Sequence, residues 1–146
     1  MSLIFRTSNF ILESHDNPEI DRNDGGHIKI SPLRPVKDRT ELTPPEAIEL
    51  MRFTIVAGRA FTTVMQQQGR ELGRINYQDN GNWKPELHIH LYGRALNAKY
   101  QKFGDPLTPG HKDEYQPLTE EDIELLAAEI ERLFALEEFA DTTWHL

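Results

Sequence analysis

Thr43-Pro44-Pro45-Glu46 and the apolar-periodic stretch behind it constrain this chain more than any other segment. The Thr43 hydroxyl is a helix N-cap. The prolines fit the first helical positions, where a missing N–H costs nothing, and Glu46 completes a capping box. From there to about Gln67, Ile48, Met51, Ile55 and Phe61 or Thr62 recur at helical spacing, and Leu50, Phe53, Val56, Ala57 and Val64 widen the stripe. The spacing predicts a long helix buried on more than one face and ended by Gly69. Such a helix needs other elements around it. The chain's 146 residues suit a single domain over 1–146, and a chain of that size buries roughly 68–70% of its unfolded surface.

Phe10-Ile11-Leu12 and His27-Ile28-Lys29-Ile30 are short apolar or alternating runs separated by the turn-forming Asn23-Asp24-Gly25-Gly26. Ser31-Pro32 closes the second run, because proline cannot continue a central strand. Gly73 to Gln78 and Glu86 to Tyr92 form a second strand pair around Asp79-Asn80-Gly81-Asn82, in which Asn-Gly is a hairpin turn signal. Residues 93–117, with Gly104, Pro106, Pro109 and Gly110, read as one long irregular loop; loops of that length are often functional. Thr119 to Asp122 is a second capping box, with Leu118 and Ile123 placed as a hydrophobic staple. Its helix carries Leu126, Ile130, Leu133 and Phe134 to about Glu137, and its acidic first turn suits the positive end of the helix dipole. The order predicts an α+β domain: an antiparallel sheet with one long central helix and a C-terminal helix.

With 38% apolar and 27% charged residues the chain is neither low-complexity nor a membrane protein. Sixteen basic residues against 24 acidic ones, a net charge of −8, argue against a nucleic-acid polymer as partner, because such binding neutralises phosphates with Lys and Arg. No stretch approaches the roughly 18 apolar residues of a membrane span. Arg6 and Thr7-Ser8-Asn9 break up the N-terminal apolar runs, so no leader is expected. A soluble cytoplasmic protein is the expectation. The absence of cysteine rules out disulfides, thiolate metal sites and thiol nucleophiles.

Chemistry concentrates in Pro85-Glu86-Leu87-His88-Ile89-His90-Leu91-Tyr92-Gly93-Arg94. Side chains on a strand alternate between faces. Leu87, Ile89 and Leu91 therefore enter the core, while Glu86, His88 and His90 share the other face. Three arrangements fit such a face. It can be solvated surface, a metal site of two histidines and a carboxylate, or an imidazole nucleophile whose neighbours orient it and hold an anion. A cupin-type metal pattern wants a further acid downstream, where Arg94 stands instead. Lys84 and Arg94 read as solvated surface, as do His15 and His111 in polar loop sequence.

Glu86-Leu87-His88-Ile89-His90-Leu91-Tyr92, followed by Gly93-Arg94, resembles the histidine-triad (HIT) nucleotide-binding superfamily, whose motif is His-φ-His-φ-His-φ-φ with φ apolar. Gly26-His27-Ile28-Lys29-Ile30-Ser31-Pro32 is similar to that family's early strand, and the helix from Thr43 to its long helix. Arg74-Ile75-Asn76-Tyr77 is similar to a strand whose asparagine lies near the nucleotide. Asn82 stands where many members have a phosphate-contacting polar residue. Glu86 replaces the first histidine of the triad. An alternative alignment makes His90 central and Tyr92 the third member; His88 is preferred as central, because Leu91-Tyr92-Gly93 then match the residues that follow.

The resemblance implies two-step nucleotidyl transfer without a metal or other cofactor, and a homodimer. His88 would attack the α-phosphate of a nucleotide conjugate, of the phosphoramidate or dinucleoside polyphosphate type. Water would then release the monophosphate from a nucleotidyl-histidine. His90, Asn82 and backbone N–H groups would steady the phosphate oxygens, with Glu86 modulating the reaction and Asn76 and His27 near the nucleoside. The C-terminal segment with Trp144 is a weaker candidate for shaping the pocket. A nucleotide-binding module without turnover, and a metal enzyme using Glu86, His88 and His90, are the alternatives.

Overall fold

The structure, a computed structural model, describes residues 1–108, 110 and 112–146. The expected surface position of His111 lies outside the described residues. Five strands form one antiparallel sheet: β1 (Ser2–Arg6), β2 (Phe10–Ser14), β3 (His27–Pro32), β4 (Leu72–Gln78) and β5 (Ile89–Ala95), in the order β1-β2-β3-β5-β4. Two helices, α1 (Pro44–Gln67) and α2 (Glu120–Phe134), complete the α+β architecture. No helix among the described residues is long and apolar enough to cross a membrane.

Both helix starts form as the sequence predicts. Thr43 and Glu46 close one capping box, Thr119 and Asp122 the other, each satisfying N–H groups that the helix itself cannot. Asp122 also takes a bidentate grip from Arg22, tying α2 to the β2–β3 connection. Gly69 ends the first helix region with φ +82. The core lies between α1 and one face of the sheet. Phe10, Leu12, Ile28, Ile30 and Leu91 meet Phe53, Val56, Ala57, Phe61 and Met65, all fully buried, and α2 adds Leu126 and Ile130.

The expected stripe on α1 is rotated in the structure. Ile48 and Met51 point outward, 37% and 58% exposed, while Glu46, Glu49 and Arg52 are buried. Each buried charge has partners. Glu46 takes Arg34, Glu49 accepts from Thr7 and Asn9, and Arg52 holds the Phe139 carbonyl and Asp141. Satisfied ions are tolerated inside, so hydrophobicity alone misassigns the face.

Three further expectations change. Ser2–Arg6 is an edge strand built on the apolar run Leu3-Ile4-Phe5, which lies outside the predicted strands, and it is linked to α2 by Phe5 stacked on Phe134 at 5.6 Å. The last strand runs from Ile89 to Ala95 rather than from Glu86 to Tyr92. Its N-terminal extension has no ladder, because β3 pairs with β5 only as far as Ile30 opposite Ile89. Leu87 N–H instead donates to the Val36 carbonyl at 2.8 Å. The β4–β5 connection is thus a ten-residue loop, 79–88, and not a tight hairpin turn.

Arg94 is the third. It is buried, contrary to its expected place on the surface. Its guanidinium donates to Asn76 Oδ1 and to the Lys102 and Asp105 carbonyls, all at 2.8 Å. Asp24, also buried, accepts the N–H groups of Lys99, Tyr100 and Gln101. These two ions order the start of the long loop. Gly25 and Gly93 let the strands beneath it close up: a Cβ on Gly25, at φ +132, would meet the Gly93 carbonyl oxygen at 2.0 Å.

Candidate active site

The sheet face away from α1 collects imidazoles. His27 opens β3 directly opposite Tyr92 on β5, and Lys29 stands opposite His90. His15, just past β2, stacks on His27 with centroids 4.6 Å apart and planes 10° apart. His90 lies 5.0 Å from His27, 4.9 Å from His88 and 6.3 Å from His15. Four of the six histidines therefore form one cluster. The expected surface position of His15 is wrong, and for a reason that no local pattern carries: the β2–β3 pairing draws it in.

Hydrogen bonds assign the protons within this cluster. The Glu19 backbone N–H donates to His27 Nδ1 at 3.2 Å. That nitrogen must accept, so neutral His27 carries its proton on Nε2, which faces His90 Nδ1 at 2.8 Å. His90 in turn accepts on Nδ1 and keeps its proton on Nε2. Neutrality is secured by burial, which pushes His27 down to about 2 and His90 down to about 4, with neighbouring imidazoles acting in the same direction. Burial, and after it the Lys29 charge, also hold His88 below the usual imidazole range. His90 thus offers an N–H donor. Among the described residues no side chain hydrogen-bonds to His88, whose ring bonds the Glu86 backbone.

Tyr92 stacks on His90 at 5.4 Å and donates its hydroxyl to Glu19 Oε2 at 2.7 Å. Burial, and then this bond, hold the phenol well above its usual range. Glu19 therefore contributes two contacts to the cluster, one from its backbone and one from its carboxylate.

Two cavities flank the His88–His90 pair, and both histidines line each of them. The larger, about 600 Å³, is bounded by Glu19, Gln78, Asn82, Trp83 and Tyr92. Trp83 is fully exposed at its rim. The smaller, about 380 Å³, is bounded by His15, Lys29, Lys84 and Glu86.

Of the residues singled out from the sequence, His88, His90 and Asn82 share the larger cavity, and Glu86 shares the smaller with both histidines. Glu86 lies ahead of β5 and off the strand ladder that the alternation assumed. Its side chain is 59% exposed and pairs with Lys84 at 3.4 Å. Asn76 faces the site side opposite Tyr92, with its carbonyl engaged by Arg94. His27 is buried behind His90. Trp144 stacks on Phe139 at 6.4 Å and donates to the Glu138 carbonyl, away from both cavities. Sequence patterns do not place His15, Glu19, Lys29 or Trp83 in the site. Only Lys29 leaves a trace, as a charge between the buried Ile28 and Ile30.

No group of three or more His, Asp or Glu among the described residues lies at metal-holding geometry. One His90 nitrogen is already engaged with His27 and the Glu86 carboxylate with Lys84.

No known family profile matches the chain. Two strains of Mycobacterium tuberculosis carry a curated protein named AP-4-A phosphorylase that is 33% identical over 70 residues. That match spans 47% of this chain and 36% of those relatives. Solved structures agree over far more of the fold. A histidine triad protein from Sinorhizobium meliloti superposes with a TM-score of 0.67 at 21% identity, covering 90% of this chain and 87% of that one. A hypothetical histidine triad nucleotide-binding protein from Sulfolobus tokodaii gives 0.62 at 13% identity over 90% and 85%.

Proposed function

We propose that this chain, which folds as histidine triad proteins do, belongs to that superfamily and cleaves a nucleoside phosphate derivative through a nucleotidyl-histidine. One observation carries the proposal. The bond sequence from Glu19 N–H to His27 and from His27 to His90 leaves His90 an N–H donor beside His88, the imidazole that lines both cavities. A nucleophile beside a preset donor is the division of labour that phosphoryl transfer needs.

In the first step the His88 lone pair forms a bond to the α-phosphorus as the bond to the leaving group breaks. The leaving group departs with that electron pair and takes a proton from solvent, which the attacking water of the second step returns. In the second step water attacks phosphorus, the P–N bond breaks and the nucleoside monophosphate leaves. His90 Nε2–H and the Asn82 amide steady the phosphoryl oxygens. His27 acts through His90 and is a positioning residue, as is Asn76 through Arg94. The name of the mycobacterial relatives supports a dinucleoside polyphosphate as the conjugate. A second copy of the chain fits the outer face of α1 and β4, where Met51 and Tyr77 are exposed beside the open edge of the sheet.

The test is a single-turnover assay with a nucleoside phosphoramidate and a dinucleoside polyphosphate. Release of nucleoside monophosphate, with a trapped adduct on His88, is expected. His88→Ala should lower turnover on the order of 10³-fold or more. An adduct on His90, or nucleotide binding without release, would overturn the proposal.

A further inference from the structure

Lys29 is the residue in the cluster that this chemistry leaves unused. Its neighbours on β3, Ile28 and Ile30, are fully buried in the core, so its side chain projects onto the site face, across from His90 on one side and Glu13 on the other. It is half-buried and lines the smaller cavity with His15, Lys84, Glu86, His88 and His90, the Glu86 carboxylate there being paired with Lys84. Among the described residues, no carboxylate lies within ion-pair distance of it. Burial lowers its pKa, with Glu13 the main opposing charge. The other lysine of the cavity, Lys84, is exposed and already paired with Glu86. A half-buried ammonium without a partner opposes folding, because it has lost hydration and gained no counter-charge.

The two cavities differ accordingly. Amides and aromatics line the larger one, and no lysine or arginine among the described residues reaches it. The smaller one holds the unpaired cation, and the neutral imidazoles beside it supply no counter-charge. A ligand whose reacting phosphorus lies at the shared His88–His90 edge reaches both.

We infer that Lys29 anchors a second, non-reacting phosphate group in the smaller cavity, next to the phosphorus attacked by His88. The inference rests on the transfer reading for the position of the reacting atom, and it adds a residue role: Lys29 holds the non-reacting phosphate, whether that belongs to the substrate's own chain or is free orthophosphate. An ammonium is a point charge that binds phosphate without demanding bidentate geometry.

Inorganic pyrophosphate is the probe, titrated into the wild-type chain, Lys29→Gln, Lys29→Arg and Lys84→Gln. Binding is read by calorimetry and by the shift of the thermal midpoint. Wild type should bind pyrophosphate, and added salt should weaken that binding. Lys29→Gln should lose at least tenfold in affinity, about 1.4 kcal/mol. Lys29→Arg should stay within about threefold, and so should Lys84→Gln. Without pyrophosphate, Lys29→Gln should melt no lower than wild type, which a merely structural lysine would not allow. Equal pyrophosphate affinity in wild type and Lys29→Gln overturns the inference, whatever the turnover. Loss of turnover in His88→Ala with pyrophosphate binding intact bears only on the transfer reading. Product analysis separates the two sources of phosphate. Nucleoside diphosphate formed only when orthophosphate is added identifies a free acceptor. A Lys29→Gln effect confined to KM for polyphosphate substrates identifies the substrate's own chain.

Discussion

His27 Nε2 lies 2.8 Å from His90 Nδ1, and the Glu19 N–H on the other His27 nitrogen leaves that bond one direction. The backbone of a loop residue thereby sets which His90 nitrogen carries the proton. The control is indirect, but it has measurable consequences.

His27→Gln should release His90 from its single tautomer. Nitrogen-15 shifts of the His90 ring should move from a pure Nε2–H pattern toward a mixture. Turnover should fall about 10–100-fold, the range seen when outer partners that orient a site imidazole are removed. Nucleotide affinity should change much less. An unchanged His90 spectrum would show that His27 does not select the tautomer.

The neutral, buried imidazoles make stability depend on pH in a definite direction. His27 and His90 are lowered to about 2 and about 4 in the folded chain, against 6.5 unfolded. Between pH 6.5 and 4 the unfolded state binds more protons, so stability is full above 6.5 and declines as pH falls through that window. Urea midpoints measured from pH 7 to 4.5 should fall steadily, and His90→Gln should flatten the slope. A midpoint independent of pH in wild type would contradict the burial of these rings.

Glu86 carries less of the chemistry than its place in the motif suggests. It is paired with Lys84 and mostly exposed, and the pull of its carboxylate charge on His88 is weaker than that of its own backbone bond to the ring. Glu86→Gln should move the acidic limb of kcat/KM slightly to lower pH and leave kcat near wild type. Dialysis against a chelator should keep activity within about twofold. Full loss restored by zinc or manganese would instead establish the site of Glu86, His88 and His90 as a metal centre.

Asp24 gathers three backbone N–H groups that the loop cannot satisfy by itself. Asp24→Ala strands them and should cost about 3 kcal/mol or more, lowering the melting midpoint by roughly 10 °C. Limited proteolysis should then cut first within 96–108. A variant that melts like wild type and resists cleavage would show that the loop is held elsewhere.

The outer face of α1 is open to a direct test. Met51→Glu puts a charge among Leu42, Leu50, Ile55 and Tyr77 and should convert a dimer to monomer in sedimentation at micromolar concentration. Identical sedimentation of the two proteins would remove this face as the contact between copies.

Local chemistry is written in the sequence itself. Capping boxes at Thr43 and Thr119, the Gly69 stop and the burial of alternate residues around His88 depend on neighbours within a few residues and stand as the sequence predicts, although Glu86 falls ahead of the strand. They fix the helix starts and identify Leu87, Ile89 and Leu91 as core. The rest of the molecule depends on residues far apart in the chain. The face of α1 turned on whether Glu46, Glu49 and Arg52 would find partners, two of them supplied by the β1–β2 turn and the C-terminal tail. Arg94 became a buried clamp because a loop presented carbonyls to it. His15 and Lys29 joined the histidines through strand pairing, which brings together backbones more than sixty residues apart, as at Lys29 and His90, and Glu19 joined them through loop bonds to His27 and Tyr92. A single strand's periodicity records which face a side chain takes; only the pairing of strands determines what it meets there.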